Sequence, residues 1–380
     1  MSREIPPPLG VDARDPAAKN EMEEIKGNHK ERLDADQISQ ALRRSEIIRA
    51  NARLADIDVR PIGVGHAGDV FKVVLQWAEP GDGPTSVVVK LPSTDPASAE
   101  TARQIGAYQR ERIFYQELAS ELVVNLPRFL GVIEFENGLE GLILEDLSVR
   151  TSGGSQLSSA PLAELKLARR QLVQLQAPFW GDDKFGSSPW LHRRLGVPIP
   201  EISARMQRSW ESSKQWVGGN LSPDEFEVVD RFVGQAESWA LALEAPFSLV
   251  HHDFRFDNLL FSESEVYVLD WQTIGWGAPM FDLAYLIGTS LDRETRNKIE
   301  RDEVLCHVEE LSEKGVHHSW TGDEAWTAYR RAAFAILLML VPACGSVRRT
   351  SRGDEMFSRL IRQGAQQVLD LDAIEFLEPV

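Results

Sequence analysis

Residues 249–261 read L-V-H-H-D-F-R-F-D-N-L-L-F, and nine residues beyond Phe261 comes Asp270 in V-L-D-W. Asp253, Asn258 five residues later and Asp270 are the types that phosphoryl transfer uses as a base and two ligands for a divalent cation. That chemistry asks little covalent help of a protein, so carboxylates and one amide held rigidly around a metal and a hydroxyl supply most of what is needed. Arg255, two residues after the expected base, is within reach of a transferred phosphate. The apolar runs 247–250, 259–261 and 266–269 read as short buried strands, which would set the polar residues on a loop and a strand end.

A second set of residues lies upstream. G-V-G-H-A-G-D-V carries Gly63, Gly65 and Gly68. A dinucleotide fingerprint of this spacing opens a helix, whereas Gly68 runs into the alternating D-V-F-K-V-V-L, so this loop joins two strands. It reads either as backbone amides covering phosphates or as a tight hairpin with no ligand. Lys90 ends the apolar strand V-V-V-K, where an ammonium needs a partner or an exit to water. Glu111 in R-E-R-I-F-Y, twenty-one residues on, is the candidate partner, together with Lys90 holding the nucleotide's phosphates; its other reading is a solvated helix face.

Composition narrows the class. The chain has 380 residues, 43% hydrophobic and 26% charged, enough for a substantial core in two lobes. Forty-one basic against 58 acidic residues, net −17, argue against nucleic acid as the main partner. Two cysteines, Cys306 and Cys344, suit a reducing, cytoplasmic setting rather than a disulfide framework. The start M-S-R-E-I-P-P-P-L-G has no apolar signal run, and the apolar stretch 332–344 reads as a buried helix stopped near Pro342, so no membrane partner is expected. No G-x-x-x-x-G-K-[ST], G-x-S-x-G or H-E-x-x-H occurs, which removes the commonest signatures of P-loop NTPases, α/β-hydrolases and zincins. Asp270 reaches G-W-G-A-P-M-F-D-L with no room for a long activation loop, so the acceptor reads as a small molecule rather than a polypeptide.

The elements that must position these groups follow from pattern. Residues 1–32 read as a disordered or loosely docked arm, and Asp34 or Asp36 as the cap of a helix carrying Ile38, Leu42, Ile47 and Ile48. From Val59 alternation predicts strands, a hairpin over 79–84 and a second strand ending at Lys90. One long helix, with room for an interruption, is expected over 97–122, then strands 129–134 and 141–144. Helical patterns follow over 162–177, 202–216, 223–243, 281–291 and from 323 onward. The resulting lobes are 33–146, built on sheet, and 147–380, built on helices.

Taken jointly, H-H-D-F-R-F-D-N, the run from L-D-W-Q to F-D-L-A-Y-L, L-E-D-L and E-R-I-F-Y resemble the protein-kinase-like small-molecule phosphotransferases, the aminoglycoside and choline kinase clan. The likeness covers roughly residues 60–290 and is greatest to the ecdysteroid-kinase-like branch. It implies an α+β, two-lobed kinase-like fold with a small antiparallel-sheet N-lobe, a larger helical C-lobe and ATP between them. By matching motif positions it implies Asp253 as catalytic base, Asn258 and Asp270 as Mg2+ ligands, and Lys90 with Glu111 as the phosphate-holding pair. The stretch from Glu145 to Leu147 becomes the hinge that meets adenine. Two departures stand out: His252 replaces the usual glycine, and Gln176 stands where the family often carries histidine. Asp282 in F-D-L-A-Y reads as a cap or a brace for the catalytic loop, and His251 as a bond to loop backbone. The expected function is an ATP- and Mg2+-dependent kinase of a small hydroxyl compound. Seven tryptophans between residues 180 and 276 suit an apolar or ring-bearing alcohol or a hydroxyacyl thioester, or else pack the core. The alternatives are an aminoglycoside-type phosphotransferase and a noncatalytic nucleotide-binding module.

Overall fold

The structure is a computed structural model and describes residues 33–64, 68–135, 138–155, 158–191, 201–317, 320–345, 349 and 351–378. The expected arm, 1–32, and Gly65 lie outside them. Cα packing divides the chain into two units. One holds the described residues up to Glu100 with Pro127–Arg150, and the other Thr101–Leu126 with Thr151–Val380. Residues 101–126, placed by sequence in the first lobe, therefore group with the helical unit, and the first unit runs on to Arg150 rather than to residue 146.

In the first unit, strands β1 (Leu54–Val64), β2 (Gly68–Trp77), β3 (Ser86–Pro92), β4 (Phe129–Glu134) and β5 (Glu140–Glu145) form one antiparallel sheet ordered β1-β2-β3-β5-β4. Strand alternation sends Phe71, Val73 and Leu75 of β2 and Val87, Val89 and Leu91 of β3 into one core. Helix α1 (Ala35–Arg44) closes that core with Ile38, Ala41 and Leu42. Asp34 is its cap: the carboxylate accepts from Gln37 N at 2.7 Å while Gln37 Oε1 accepts from Asp34 N. Gly131 in β4, at φ 150°, lets the helix sit close, since a Cβ there would lie 3.1 Å from the Ala41 carbonyl oxygen.

The helical unit departs from expectation at its start. Instead of one helix over 97–122, α2 (Pro96–Gln104), whose last residues open this unit, and α3 (Ala107–Ile113) are separated at Gly106, whose φ of 68° breaks the ladder, and a π-helical turn (Phe114–Leu118) follows. Beyond the short strand β6 (Ser152–Gly153) come α4 (Leu162–Gln176), α5 (Ile202–Gly218) and α6 (Pro223–Leu241), the last begun by a Ser222/Glu225 capping box with Pro223 at its first position. Strands β7 (Ser248–Val250), β8 (Leu259–Phe261), β9 (Val266–Val268) and β10 (Gly275–Gly277) form two small sheets, β10-β7 and β6-β8-β9. Helix α7 (Met280–Ser290) is buried at every residue, which accounts for its lack of a polar face. Around it stand α4, α8 (Arg293–Glu313), α9 (Gly322–Arg331), α10 (Ala335–Cys344) and α11 (Ser351–Asp370). Pro342 lies inside α10, two residues before its end at Cys344. The run Gly322–Cys344 is long and apolar enough to cross a membrane by composition, but 67% of its most apolar window is buried inside the molecule, as for a core helix.

Candidate active site

The loop 251–258 leaves β7 and is fixed before it reaches the reactive residues. Asp282, in the first turn of α7 and fully buried, accepts from His251 N at 2.7 Å and His252 N at 2.8 Å, so it braces the loop. Burial pushes its carboxyl up to about 7, and the Asp253 charge adds to this against the two N–H donors. His251 Nε2 donates to the Leu269 carbonyl at 2.9 Å, which leaves Nδ1 to accept from Asp253 N at 3.3 Å. That is the structural role read from sequence. His252 has φ 67°, the left-handed region glycine favours, which explains a family glycine here. Its ring is packed rather than solvated: it is 3% exposed, bonds the Thr273 carbonyl through Nδ1 at 2.9 Å and stands edge-on to Phe281.

The Asp253 carboxylate is ringed by three donors. Arg255 Nε lies 3.0 Å from Oδ1, Tyr285 OH donates to Oδ1 at 3.0 Å, and Asn258 Nδ2 donates to Oδ2 at 2.8 Å and to the Asp253 carbonyl at 2.9 Å. Burial works against the Arg255 charge, but the Asp253 carboxylate, with Asp257 behind it, more than offsets it and holds the guanidinium above its ordinary value. Arg255 is thus spent in part on Asp253 itself, with Asp257 Oδ2 at 3.4 Å and Met356 Sδ of α11 at 3.9 Å beyond. Tyr285 was not singled out from sequence. The available signal was its spacing, one turn after Asp282 on the same helix.

Asn258 and Asp270 are joined through backbone: Leu269 N donates to the Asn258 carbonyl at 2.9 Å, and β8 pairs with β9 from Leu259 and Val268 onward. With its amide nitrogen committed to Asp253, Asn258 has Oδ1 as the atom to offer a cation. Asp270 stands at φ 62°, two residues beyond the end of β9 and just before a 3-10 turn (Trp271–Thr273). The next residue, Trp271, donates its N–H to Glu111 Oε1 at 3.2 Å and stacks on Phe114 at 4.1 Å between centroids. Glu111 is 1% exposed, so it is no solvated helix face. Arg110 beside it donates to the Gln272 carbonyl at 2.9 Å, its pKa lowered to about 10 by burial. One carboxylate and one amide oxygen fit Mg2+, a hard cation that takes few protein oxygens and draws its remaining ligands from phosphate and water. Among the described residues no group of three or more His, Cys, Asp and Glu is placed to hold a metal.

In the first unit the strand registers bring Gly63, Val70, Lys90 and Leu142 into one transverse row across β1, β2, β3 and β5. Lys90 alternates with the buried Val89 and Leu91, so it projects from the sheet face opposite the core. Gly68 opens β2 opposite Pro92, confirming that the glycine segment joins two strands. Glu145 ends β5 with Arg150 Nη2 3.1 Å from Oε1, and Leu147 is buried. Between them Asp146, not singled out from sequence as a site residue, lies 2.8 Å from Lys72 Nζ.

Gln176, which replaces a family histidine, is fully buried; its Nε2 donates to the Pro279 carbonyl at 2.9 Å and its Oε1 faces His307 Nε2 at 2.9 Å. It braces the turn into α7. Trp210, Trp239, Trp271 and Trp276 are buried in the core, so packing accounts for most of the tryptophans read as acceptor contacts.

This combination of sheet unit, helical unit and D-x-x-x-x-N…D loop defines a small-molecule phosphotransferase with a kinase-like fold. Residues 58–305 match the phosphotransferase enzyme family, and the chain belongs to it. Its fold is similar to that of a candidate aminoglycoside phosphotransferase from Ralstonia eutropha JMP134 (TM-score 0.53, 16% identity, covering 91% of this chain and 99% of that one). It is similar also to choline kinase from Cryptosporidium parvum Iowa II (TM-score 0.53, 12% identity, covering 87% and 95%). In sequence it is 27% identical over 154 residues to acyl-CoA dehydrogenase family member 11 of Gallus gallus, a match covering 39% of this chain and 17% of that protein.

Proposed function

We propose that the protein transfers the terminal phosphoryl group of ATP, with Mg2+, to a hydroxyl of a small, uncharged and partly apolar organic molecule. The observation that carries this is the Asp253 carboxylate, oriented by Arg255, Asn258 and Tyr285 on a loop that α7 holds by its backbone. The acceptor oxygen forms the new bond to phosphorus, the bond from phosphorus to the ADP oxygen breaks, and Asp253 orients the hydroxyl and takes its proton. Asn258 and Asp270 would hold Mg2+, which when bound would neutralise charge on the phosphates. The family likeness assigns Lys90 and the backbone of Gly63 and Gly68 to those phosphates and the stretch from Glu145 to Leu147 to the base, and Arg255 steadies Asp253 and the transferred group.

For the acceptor, a hydroxyl-bearing acyl thioester is the second reading, favoured by the relative whose name carries acyl-CoA chemistry. The likeness to the ecdysteroid-kinase-like branch favours a steroid-like alcohol. The test is mass-spectrometric detection of ATP-dependent phosphate addition across a panel of steroid alcohols, phenols, hydroxyacyl thioesters and aminoglycosides, with Asp253→Asn protein alongside. A gain with native protein alone is expected. Near-native turnover by Asp253→Asn would show that the assigned base is wrong, and no gain with any acceptor would favour a noncatalytic nucleotide-binding module.

A further inference from the structure

The stretch by which β5 leaves the first sheet is tied down at successive residues. Glu145 N donates to the Arg128 carbonyl at 2.9 Å, and Arg150 N to the Leu147 carbonyl at 3.0 Å. The Asp146 side chain, 2% exposed, takes Lys72 Nζ of β2 at 2.8 Å and Ser86 Oγ of β3 at 2.6 Å on Oδ2, and Ser148 N at 2.9 Å on Oδ1. Lys72 Nζ also reaches Ser148 Oγ at 2.7 Å. One carboxylate thus clamps residues 146–148 to two neighbouring strands. A buried ion pair is poor at raising stability, because desolvation offsets much of its attraction and an apolar pair of like volume would serve as well. What it does supply is direction, since each donor fixes one carboxylate oxygen and with it the peptide planes on either side.

We propose that Asp146 is a positioning residue for the nucleotide base: by clamping residues 146–148 to β2 and β3 it presents the peptide groups of residues 145–147, other than the Glu145 N–H that the Arg128 carbonyl holds, in one orientation to the hydrogen-bonding edge of a purine. This rests on the nucleotide reading above. Burial raises the Asp146 carboxyl, but the bonds from Lys72, Ser148 and Ser86 outweigh it and bring it down to about 2, so the clamp is ionised throughout the physiological range.

The experiment compares native, Asp146→Ala, Asp146→Asn and Ser86→Ala proteins by displacement of a fluorescent ATP analogue, using Mg·ATP and, as a competitor without a base, Mg·tripolyphosphate. Hydrogen exchange over residues 145–150 is followed in parallel. Asp146→Ala is expected to raise the Kd for Mg·ATP about tenfold, roughly 1.4 kcal/mol, with tripolyphosphate within about twofold of native. Amides 145–150 should exchange faster while α7 stays protected. Asp146→Asn should recover part of the loss, because its Oδ1 still accepts from Ser148 N, and Ser86→Ala, which removes one donor, should move the same way by less. Unchanged Mg·ATP affinity would overturn the proposal, as would equal weakening of both ligands, which marks a purely structural role. Native protein that binds no Mg·ATP would instead overturn the nucleotide reading itself.

Discussion

Asp253 gains its direction from residues with different duties. Arg255 brings charge, Asn258 ties the carboxylate to its own loop, and Tyr285 reaches it from a helix thirty-two residues away in sequence. Burial, with the Asp253 charge added, pushes the Tyr285 hydroxyl well above its ordinary value, so it remains a neutral donor. Tyr285→Phe keeps the ring and removes that donor. It should lower kcat about 10- to 100-fold while leaving nucleotide Kd and Tm close to native, as a base held loosely would. Steady-state transfer to the acceptor found in the panel, beside a nucleotide titration, checks this; kcat within twofold of native would remove Tyr285 from the machinery. At Asp270 the corresponding change has another signature: Asp270→Ala should weaken Mg·ATP binding as well as turnover, read by titration with and without Mg2+.

Sequence pattern located most of the elements because most obey a single period. Strand 129–134 and the helices beginning at Leu162, Ile202 and Pro223 fall where the sequence pattern puts them. The interruption allowed for in the helix expected over 97–122 falls at Gly106 and Phe114, where a left-handed residue and a π turn reshape the segment. That Asp253 and Asn258 share one loop was legible from their spacing. Its supports were less so: Tyr285, Asp146 and the Gln176–His307 pair act through contacts between residues 32 to 131 positions apart or across strands, and no local period records them. Helix α7 shows how tightly such contacts bind. A Cβ on Gly288 would meet Gln367 Oε1 and lie 2.7 Å from Ile336 Cδ1. Gln367 has little freedom to retreat, because its Nε2 is held by the Ala284 carbonyl at 3.2 Å and Tyr329 OH at 3.0 Å. Gly288→Ala should therefore cost about 2 kcal/mol, the ~1 kcal/mol gain in helix propensity notwithstanding. Urea unfolding measures it, and a stabilised variant would contradict this account of α7.

Over the whole molecule, one source of acid sensitivity is a buried histidine. His307 of α8 is fully buried; burial first, and the Arg169 charge second, lower its pKa to about 3 from an ordinary 6.5. Because the Pro279 carbonyl can only accept, Gln176 must turn its Nε2 there and its Oε1 to His307, so His307 Nε2 carries the proton of a neutral ring. The folded state binds the second ring proton, the one that would charge His307, less readily than the unfolded chain. The stabilisation is therefore complete above pH 6.5 and is lost as pH falls toward 3, by about 1.4 kcal/mol per unit. His307→Gln can still donate to Gln176 but does not titrate, so its unfolding free energy should fall less steeply between pH 6 and 4 than that of native protein; equal slopes would rule His307 out as the source. The burial of α7 has a consequence for synthesis. The helix that steadies Asp253 needs α11 at its side, through Gln367 on Ala284 and Arg255 against Met356. The reactive loop is complete in sequence by residue 258 but gains its last supports only when residues beyond 350 emerge from the ribosome. A nascent chain thus cannot complete the support of Asp253 until those residues have been made.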